Sequence, residues 1–332
     1  MPEPLTQESV KPLNGRVAPP RTARVIGLGH KLPDHVVPNG PIAERIGVDS
    51  DWITRRTGIR ERRFAAPDER TADLAVSAAR RALLDAGRKA TDVDLVLLAT
   101  MTPDELTPNT APVVANALGI GAGAYDIGAA CTGWLSALSA GAAQVEAGRA
   151  ECVLVIGAET LSRVTDPSDK RTAALFGDGA GAVVLSPDGD GAIGPVVLAT
   201  DGGMADTIWA DHDERFIHME GHDTFNKAVR VLTESTQQAC EQAGVSLDDI
   251  DLFVYHQANG RILKTVAEKL ELESERVADY IGETGNTSAA SIPLVLSLLR
   301  EDGRLRPGQR LVLSAVGAGF TWGAAVVDWG VR

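Results

Sequence analysis

The sequence predicts an α/β fold in which helices and sheets alternate in five layers, α/β/α/β/α, built from two similar halves. Two observations predict it. Residues 82–100 (ALLDAGRKATDVDLVLLAT) and 239–257 (ACEQAGVSLDDIDLFVYHQ) align without gaps at an offset of 157 residues. The strand-like segments are continuous apolar runs, which are typical of sheets covered by helices on both faces. A period near 150 residues is too long for a solenoid, so two α/β halves are the simpler interpretation.

Each copy of the repeat predicts a helix, a glycine stop, an acidic loop and an apolar strand. Two further pairs of segments extend the similarity: 125–128 with 279–282, and 176–185 with 320–328. The apolar runs favour mainly parallel strands; they are 95–98, 152–156 and 311–313. A helix rich in small residues, 135–147, can pack closely between two sheets, which predicts the layered body.

Composition changes divide the chain into three parts. Residues 1–21 are polar and rich in proline, and we expect a flexible N-terminal arm there. The segment SPDGDGAIG at 186–194 separates the two halves. We therefore assign the first half, with a candidate nucleophile, to 22–190 and the second half to 191–332.

The overall composition excludes several classes of function. A formal net charge of −13 argues against a general nucleic-acid binder, because neutralising phosphates requires a basic surplus. We find no run of 18 apolar residues and no apolar signal-peptide core, so we expect no membrane span and no secretion. Three cysteines cannot form a disulfide framework. We expect a cytoplasmic protein in a reducing compartment.

Cys131 is the first candidate for chemistry. It follows the predicted strand 125–128 and opens an apolar helix. Free N–H groups and the positive dipole end at a helix N-terminus favour a thiolate, so we expect the pKa of Cys131 to fall below about 8.5. The alternative is a small buried cysteine in an alanine-rich turn. Cys152 and Cys240 lie inside a predicted strand and helix and are interpreted as packing residues.

Two residues of the second half are candidate partners. His256 ends the strand 252–255, and ligands bind at strand ends in open α/β sheets. Asn286 falls, through the repeat, within one residue of the Cys131 position; alternatively it only caps the following helix. Pseudo-twofold packing would bring both to Cys131. Ala318, in the loop 317–320, could supply an oxyanion-stabilising amide, or the loop is simply a tight hairpin turn.

Other patterns predict competing functions. The glycines of 177–181 and 27–29 resemble nucleotide-binding loops but lack the full dinucleotide spacing and a P-loop lysine. A cluster of histidines at 212, 218 and 222 could hold a metal, although a solvated polar loop is the simpler interpretation. Trp52 with Arg55 and Arg56 could stack on a base and pair with phosphates, or form a surface helix end.

Taken together, these motifs resemble the β-ketoacyl-acyl carrier protein synthase III group of the thiolase superfamily, over residues 23–332. The motifs that carry the resemblance are DWI with RTGIR at 51–60, ACTG at 130–133, GDGAG at 177–181, HQAN at 256–259, GNTSAA at 285–290 and GFTWG at 319–323. The resemblance implies a thiolase fold, a homodimer and an acyltransferase. It implies no metal and no cofactor, since CoA enters as a thioester substrate.

The resemblance also assigns roles to individual residues. It implies Cys131 as nucleophile with His256 and Asn286, and the amides of Cys131 and Ala318 as oxyanion donors. It implies CoA binding by Trp52, Arg56 and Lys170, a carrier-protein contact at Arg261, and an acyl pocket that includes Thr107 and Phe225. Acyl-CoA would acylate Cys131, and malonyl-acyl carrier protein would then condense with it.

Departures from the family pattern concern the acyl group and its acceptor. Thr107 stands where some relatives have a phenylalanine that closes the acyl channel, Lys170 replaces a frequent arginine, and His222 replaces a frequent asparagine. A family-related acyltransferase or ketosynthase that uses a non-carrier acceptor stays open. A degradative thiolase would need a second cysteine in 317–323, and a hydroxymethylglutaryl synthase would need an acid in place of Ala129 or Ala130. A scaffold subunit without activity would usually lack the nucleophile.

The acidic chain leads to one further expectation. CoA and carrier proteins are themselves acidic, so binding them needs a local positive patch. We expect Arg55, Arg56, Lys170 and Arg261 to gather at the mouth of the site.

Overall fold

A computed structural model describes residues 21–331, so the arm predicted at 1–21 lies almost entirely outside the described residues. The strands are β1 (Arg24–Lys31), β2 (His35–Pro38), β3 (Glu61–Phe64), β4 (Leu95–Ala99), β5 (Gly123–Ile127), β6 (Val153–Glu159), β7 (Gly179–Ser186), β8 (Ala192–Thr200), β9 (Ile208–Trp209), β10 (His218–Met219), β11 (Leu252–Tyr255), β12 (Arg310–Gly317) and β13 (Thr321–Asp328). The helices are α1 (Asn39–Ile46), α2 (Ser50–Thr57), α3 (Thr71–Asp85), α4 (Thr110–Leu118), α5 (Gly133–Glu146), α6 (Gly221–Ala243), α7 (Gly260–Lys269), α8 (Ile281–Thr284) and α9 (Ser291–Glu301).

Two sheets of the same topology form the body. The first has the order β1-β7-β6-β4-β5, and the second has the order β8-β13-β12-β11. An isolated parallel bridge from Phe253 to Val277 stands where the second sheet would have its fifth strand. Helices α5 and α9 lie between the sheets, α3 and α4 cover the first sheet, and α6 with α7 covers the second. The five layers predicted from the sequence are confirmed.

The repeat is reproduced at the level of single residues. Gly87 and Gly244 both have φ above 60°, and each ends a helix before one 3-10 turn and a strand. That turn spans Ala90–Asp92 in the first half and Leu247–Asp249 in the second, again 157 residues apart. The prediction from the aligned segments is therefore confirmed.

Two predictions about the strands are wrong. Each sheet is mixed rather than mainly parallel, because β7 and β13 each run antiparallel to both of their neighbours. Their apolar runs reflect helices on both faces, which bury strands whatever their direction. The pair 125–128 and 279–282 also fails, because Tyr125 lies in strand β5 whereas Ile281 begins helix α8.

The halves contact each other backbone to backbone. A Cβ placed on Gly157 of β6 would lie 2.3 Å from the carbonyl oxygen of Ala289, and one on Gly181 of β7 would lie 2.3 Å from the amide nitrogen of Leu294. Real Cβ atoms do not approach backbone so closely, so only glycine fits at these two positions. This contact fixes the first sheet against the turn that precedes α9.

Within residues 21–331, none of the helices combines the length and apolar character needed to cross a bilayer.

We predict that Gly157→Ala lowers the free energy of unfolding by about 2 kcal/mol or more, because the added methyl group collides with backbone that cannot rotate away. Denaturant titration followed by circular dichroism measures the change. Gly40→Ala is the matched control, because nothing lies within 4 Å of a Cβ there and Gly40 sits in helix α1. Equal stabilities of Gly157→Ala and the wild type would contradict the close approach.

Candidate active site

Cys131 lies in the turn that joins β5 to α5. Residues Ala130–Thr132 form one 3-10 turn, and α5 itself begins at Gly133. Ala130 has a φ of 45°, a left-handed conformation that is uncommon for any residue except glycine. Such strained residues persist where the surrounding structure enforces them, and they cluster at functional sites. The sequence placed Cys131 correctly after a strand, but one 3-10 turn separates it from the α-helix.

The second half closes over this turn. A Cβ on Gly317, at the end of β12, would lie 2.8 Å from the amide nitrogen of Cys131. The hydroxyl of Thr321 hydrogen-bonds the hydroxyl of Thr132 at 3.0 Å and the carbonyl of Ala318 at 3.1 Å. The loop that carries Ala318 is therefore held directly against the turn that carries Cys131.

His256 enters the site from the end of β11. Its backbone amide donates to the carbonyl of Ser314 at 2.8 Å, which continues the pairing with β12. The side chain is buried, and its Nδ1 has no hydrogen-bond partner among the described residues. Burial lowers the pKa of His256 to about 3, so the imidazole is neutral at physiological pH. A neutral imidazole carries one N–H donor.

Asn286 lies beside the His256 loop in a defined orientation. Its Oδ1 accepts a hydrogen bond from the amide of Ser288 at 2.9 Å, and its Nδ2 is 3.4 Å from the carbonyl oxygen of Ala258. Because the amide oxygen is already used, the amide nitrogen is the group that remains available as a donor. Asn286 also pairs with Phe176 of the first half through a parallel bridge. The residue is thus fixed by both halves.

The expected pKa of Cys131 is wrong for the unliganded protein. Burial raises the pKa of the thiol to about 11, and the charge of Glu159 acts in the same direction. A hydrogen bond from Ser288 lowers it, but by less than burial raises it. Cys131 remains partly exposed, so a substrate can reach it while the sulfur is held as a thiol. The helix end favours a thiolate, but the loss of water around the sulfur outweighs this effect.

Two further residues of the site escaped the sequence analysis. Glu159 ends β6 and is completely buried, and Ser288 donates a hydrogen bond to its Oε1 at 3.0 Å. Ser288 has a φ of 47° and begins a 3-10 turn, as Ala130 does in the first half. The signal was available: Glu159 is an acidic residue that ends the apolar strand at 153–158.

Two backbone amides in the site have no partner in another residue. Among the described residues, the amide of Ala318 donates no hydrogen bond, and the amide of Cys131 donates only to the sulfur of its own residue. The loop beyond Ala318 is rigidly held, because Phe320 and Asp201 exchange backbone hydrogen bonds of 2.9 and 2.8 Å. Both amides are therefore fixed in place and available to a ligand oxygen.

The residues expected at the mouth lie on neighbouring elements. The Arg56 guanidinium lies 4.8 Å from the Trp52 ring centroid on α2, and α2 contacts both α1 and α7. Lys170 Nζ is 4.0 Å from the position that a Cβ on Gly47 would occupy, at the end of α1. Arg261, in the first turn of α7, lies 5.3 Å from the Phe225 ring.

Arg55, expected at the mouth, and Thr107, expected in the acyl pocket, have different surroundings from these residues. Arg55 lies 3.8 Å from Asp49 in an exposed ion pair. Thr107 lies in the exposed loop between β4 and α4, and no hydrogen bond or ion pair within residues 21–331 joins it to the other candidates.

The competing sites find no support in the structure. The glycines at 27, 29, 179 and 181 lie inside strands β1 and β7, so they admit neighbouring backbone and form no nucleotide loop. Among the described side chains, which do not include His222, no group of three or more His, Cys, Asp or Glu residues could hold a metal. His218 stacks on Trp209 at 5.0 Å, and the side chain of His222 lies outside the described residues.

Comparison with known proteins identifies the family. Models of the 3-oxoacyl-[acyl-carrier-protein] synthase III family match residues 125–202, and its C-terminal model matches 240–329. A β-ketoacyl-[acyl-carrier-protein] synthase III from Streptomyces coelicolor is 45% identical over 311 residues, covering 92% of this chain and 94% of its own. One from Paracoccus denitrificans is 43% identical, covering 93% of this chain and 100% of its own.

The chain belongs to the β-ketoacyl-acyl carrier protein synthase III family. The family resemblance and the thiolase-like fold are thereby confirmed. A synthase III structure from Thermus thermophilus superposes with a TM-score of 0.89 at 41% identity, covering 93% of this chain and all of its own. The priming β-ketosynthase of the R1128 polyketide pathway reaches 0.91 at 35% identity, covering 96% of this chain and all of its own.

We predict that His256→Asn flattens the pH dependence of stability. The pKa of His256 is about 3 in the folded state and about 6.5 when unfolded, so the unfolded state binds the extra proton as the pH falls. The free energy of unfolding that is fully present above pH 6.5 therefore falls by about 2 kcal/mol as the pH is lowered from 7 to 5. Denaturant titrations at several pH values measure this, with exposed His35→Asn as control. Parallel pH profiles for His256→Asn and the wild type would contradict the neutral imidazole.

Proposed function

We propose that this protein is a β-ketoacyl-acyl carrier protein synthase that takes an acyl group from acyl-CoA onto Cys131 and condenses it with malonyl-acyl carrier protein. The observation that carries the proposal is the meeting of the two halves. Cys131 comes from the first half, His256 and Asn286 come from the second, and the loop that carries the amide of Ala318 is held against the turn of Cys131. The proposed chemistry needs no metal or organic cofactor, and we propose a cytoplasmic location as part of the same function.

The first step transfers the acyl group. The sulfur of Cys131 bonds the thioester carbonyl carbon, the bond to the CoA sulfur breaks, and the proton of the Cys131 thiol ends on CoA. The developing oxyanion accepts hydrogen bonds from the amides of Cys131 and Ala318. One such donor is worth about 3 kcal/mol in the transition state, because it is fixed before the charge develops.

The second step forms the carbon–carbon bond. Neutral His256 and Asn286 donate hydrogen bonds to the thioester carbonyl of the malonyl group. The bond to the carboxylate breaks, carbon dioxide leaves, and the bonding electrons become an enolate that these donors stabilise. The enolate carbon then bonds the acyl carbon, the bond to the Cys131 sulfur breaks, and the sulfur takes up one proton from water. An imidazole with a pKa near 3 suits this role, since it stays a donor without becoming a competing cation.

Local positive charge supports binding of acidic substrates despite the net charge of −13. Trp52 and Arg56 form a stacked pair that suits the adenine and phosphates of CoA, with Lys170 nearby as a second phosphate contact. A lysine keeps the charge but lacks the planar fork of an arginine. Arg261 stands on the adjoining helix α7, where an acidic carrier protein would dock.

We further propose a homodimer formed at the β5 edge. Strand β5 ends the first sheet, and an unpaired edge is a template for pairing with a second chain. Tyr125 on this strand is 44% exposed, and Leu106 in the preceding loop is 77% exposed. Thr107 follows Leu106 and would then line the acyl pocket of the partner, together with Phe225 of that subunit. A small threonine at this position suits longer or bulkier acyl groups.

A second candidate function uses the same acyl-cysteine but a different acceptor. The likeness to a priming ketosynthase of a polyketide pathway favours a role in secondary metabolism, although a ketosynthase is itself a condensing enzyme. Transfer of the acyl group to a non-carrier acceptor needs no decarboxylation. Release of carbon dioxide in step with product formation supports the condensing enzyme, whereas acyl transfer without it supports the alternative.

We predict that incubation with short acyl-CoAs adds one acyl mass to Cys131. Mass spectrometry of the intact protein and its peptides measures the adduct. Cys131→Ala abolishes it, and Cys240→Ala, which alters a buried helix cysteine, retains it. His256→Ala and Asn286→Ala keep the adduct but lose at least about a hundredfold in condensation rate, because only the second step uses these donors. Full condensation by Cys131→Ala would refute the mechanism.

We predict that Trp52→Ala and Arg56→Ala each raise the KM for acyl-CoA by about tenfold, the equivalent of one lost cation–π or charged contact. The control is a substrate: N-acetylcysteamine thioesters lack the nucleotide, so both variants should acylate from them at the wild-type rate. Equal losses with both substrates would show that the pair supports the fold instead of binding CoA.

A further inference from the structure

Glu159 is a buried acid for which the proposed reaction has no use. Its side chain is completely buried at the end of β6, and no positively charged group accompanies it among its described partners. The carboxylate oxygens accept from neutral donors only; these are the hydroxyls of Thr100, Thr102 and Ser288 and the amide of Met101. A carboxylate buried without a counter-charge is costly, so its presence beside the nucleophile requires an explanation.

Ser288 connects Glu159 to the nucleophile. Its hydroxyl is 3.0 Å from Glu159 Oε1 and 3.7 Å from the sulfur of Met101. The turn that begins at Ser288 packs against the turn that carries Cys131, and a hydrogen bond from Ser288 lowers the pKa of the Cys131 thiol. The amide of Ser288 donates to the side chain of Asn286, which fixes the backbone that carries the hydroxyl. A serine hydroxyl has a single proton. It can donate that proton to only one acceptor at a time, and the Glu159 carboxylate and the Cys131 sulfur therefore compete for it, with the Met101 sulfur as a weaker third acceptor.

We propose that Glu159 is a positioning residue that sets the ionisation of Cys131 through the hydroxyl of Ser288. When Glu159 is ionised, its carboxylate accepts the hydrogen bond of the Ser288 hydroxyl and places a negative charge near the sulfur. Both effects disfavour a Cys131 thiolate and keep Cys131 as a thiol. When Glu159 is protonated, its own O–H donates to Ser288, and Ser288 donates to a Cys131 thiolate. The arrangement with a Cys131 thiol and a Glu159 carboxylate and the arrangement with a Cys131 thiolate and a protonated Glu159 contain the same number of protons.

This equality of proton number fixes the pH dependence. Below the pKa of Glu159, raising the pH increases the thiolate fraction of Cys131 about tenfold per unit. Above it, the thiolate–acid and thiol–carboxylate arrangements keep a constant ratio, because no proton is exchanged with solvent between them. The thiolate fraction therefore levels off, and it rises again only as the pH approaches the pKa of about 11 of the thiol. Burial raises the pKa of Glu159 to about 7, which sets the break near neutral pH.

The other ionisable groups near Cys131 and Glu159 do not act on this pair. Asp178 adjoins Gly179, the residue paired with Glu159, but its oxygens are taken by Ala65 and Ser162. The pKa of His256 is lowered by burial alone. Burial raises the pKa of Glu159, and the hydrogen bonds from its four donors lower it by less. Cys131 and Glu159 thus form an isolated pair, and an ionised Glu159 protects the resting thiol from oxidation.

Alkylation of Cys131 by iodoacetamide between pH 5.5 and 9.5 tests the proposal. The inference rests on Cys131 as the proposed nucleophile, but the assay needs neither acyl-CoA nor carrier protein, so it can fail independently of the proposed function. Peptide mass spectrometry separates Cys131 from the buried Cys152 and Cys240, whose modification reports unfolding. In the wild type we expect the rate to rise and then level off near pH 7. A wild-type rate that rises without a break overturns the proposal, and this arm needs no variant.

Two variants sharpen the result. Glu159→Gln should lose the break, so that its rate keeps rising and exceeds the wild type about tenfold one pH unit above it. Thr100→Val is the matched control: it removes a donor to the Glu159 oxygen on the side away from Ser288, and should keep the break. A slower Glu159→Gln, or loss of the break in Thr100→Val, would show that the network only supports the fold and would overturn the proposal.

Discussion

The close contact of backbone with backbone between the two halves is the constraint on which the site depends. Glycines of β6 and β7 admit the start of α9 and the turn before it, and Gly317 of β12 admits the turn that carries Cys131. Side chains at these positions would hold the halves apart. Because the approach is so close, residues separated by more than 120 positions in the chain share one small space, and water is largely excluded from it.

Exclusion of water explains the electrostatic character of the site. Burial raises the pKa of the Cys131 thiol to about 11, lowers that of His256 to about 3 and raises that of Glu159 to about 7. Each shift favours the neutral form. A site of neutral donors suits a reaction in which an anion must develop and be held for a short time, since fixed N–H groups are already in position.

Much of this architecture could be predicted from the sequence, because the repeated residues are those that pack in the core or form turns. The offset of 157 residues places Gly87 on Gly244 and Leu95 on Leu252, and the structure reproduces both. The alignment of Ile127 with Ile281 failed because helix α8 intervenes in the second half only. An insertion in one half is not detectable from the sequence repeat when the residues on both sides of it resemble those of the other half.

The sequence indicated candidate positions for the site but not their ionisation. Cys131 and His256 stand out by their placement after strands, whereas Asn286 was selected through an alignment of 279–282 with 125–128 that the structure does not reproduce. The raised pKa of Cys131 depends on how tightly the second half covers it, and Glu159 acts through Ser288, which is 129 residues away in the chain. Neither fact is local in sequence, so neither could be predicted from a motif.

The central claim is that both halves meet around the carbonyl of an acyl group on Cys131. A crystal structure of the acetylated protein tests it most directly. We expect the thioester oxygen to lie about 2.7–3.1 Å from the amides of both Cys131 and Ala318, with His256 and Asn286 facing the acetyl group from the second half. An acetyl oxygen turned towards solvent, or an acetyl group on another residue, would contradict the claim.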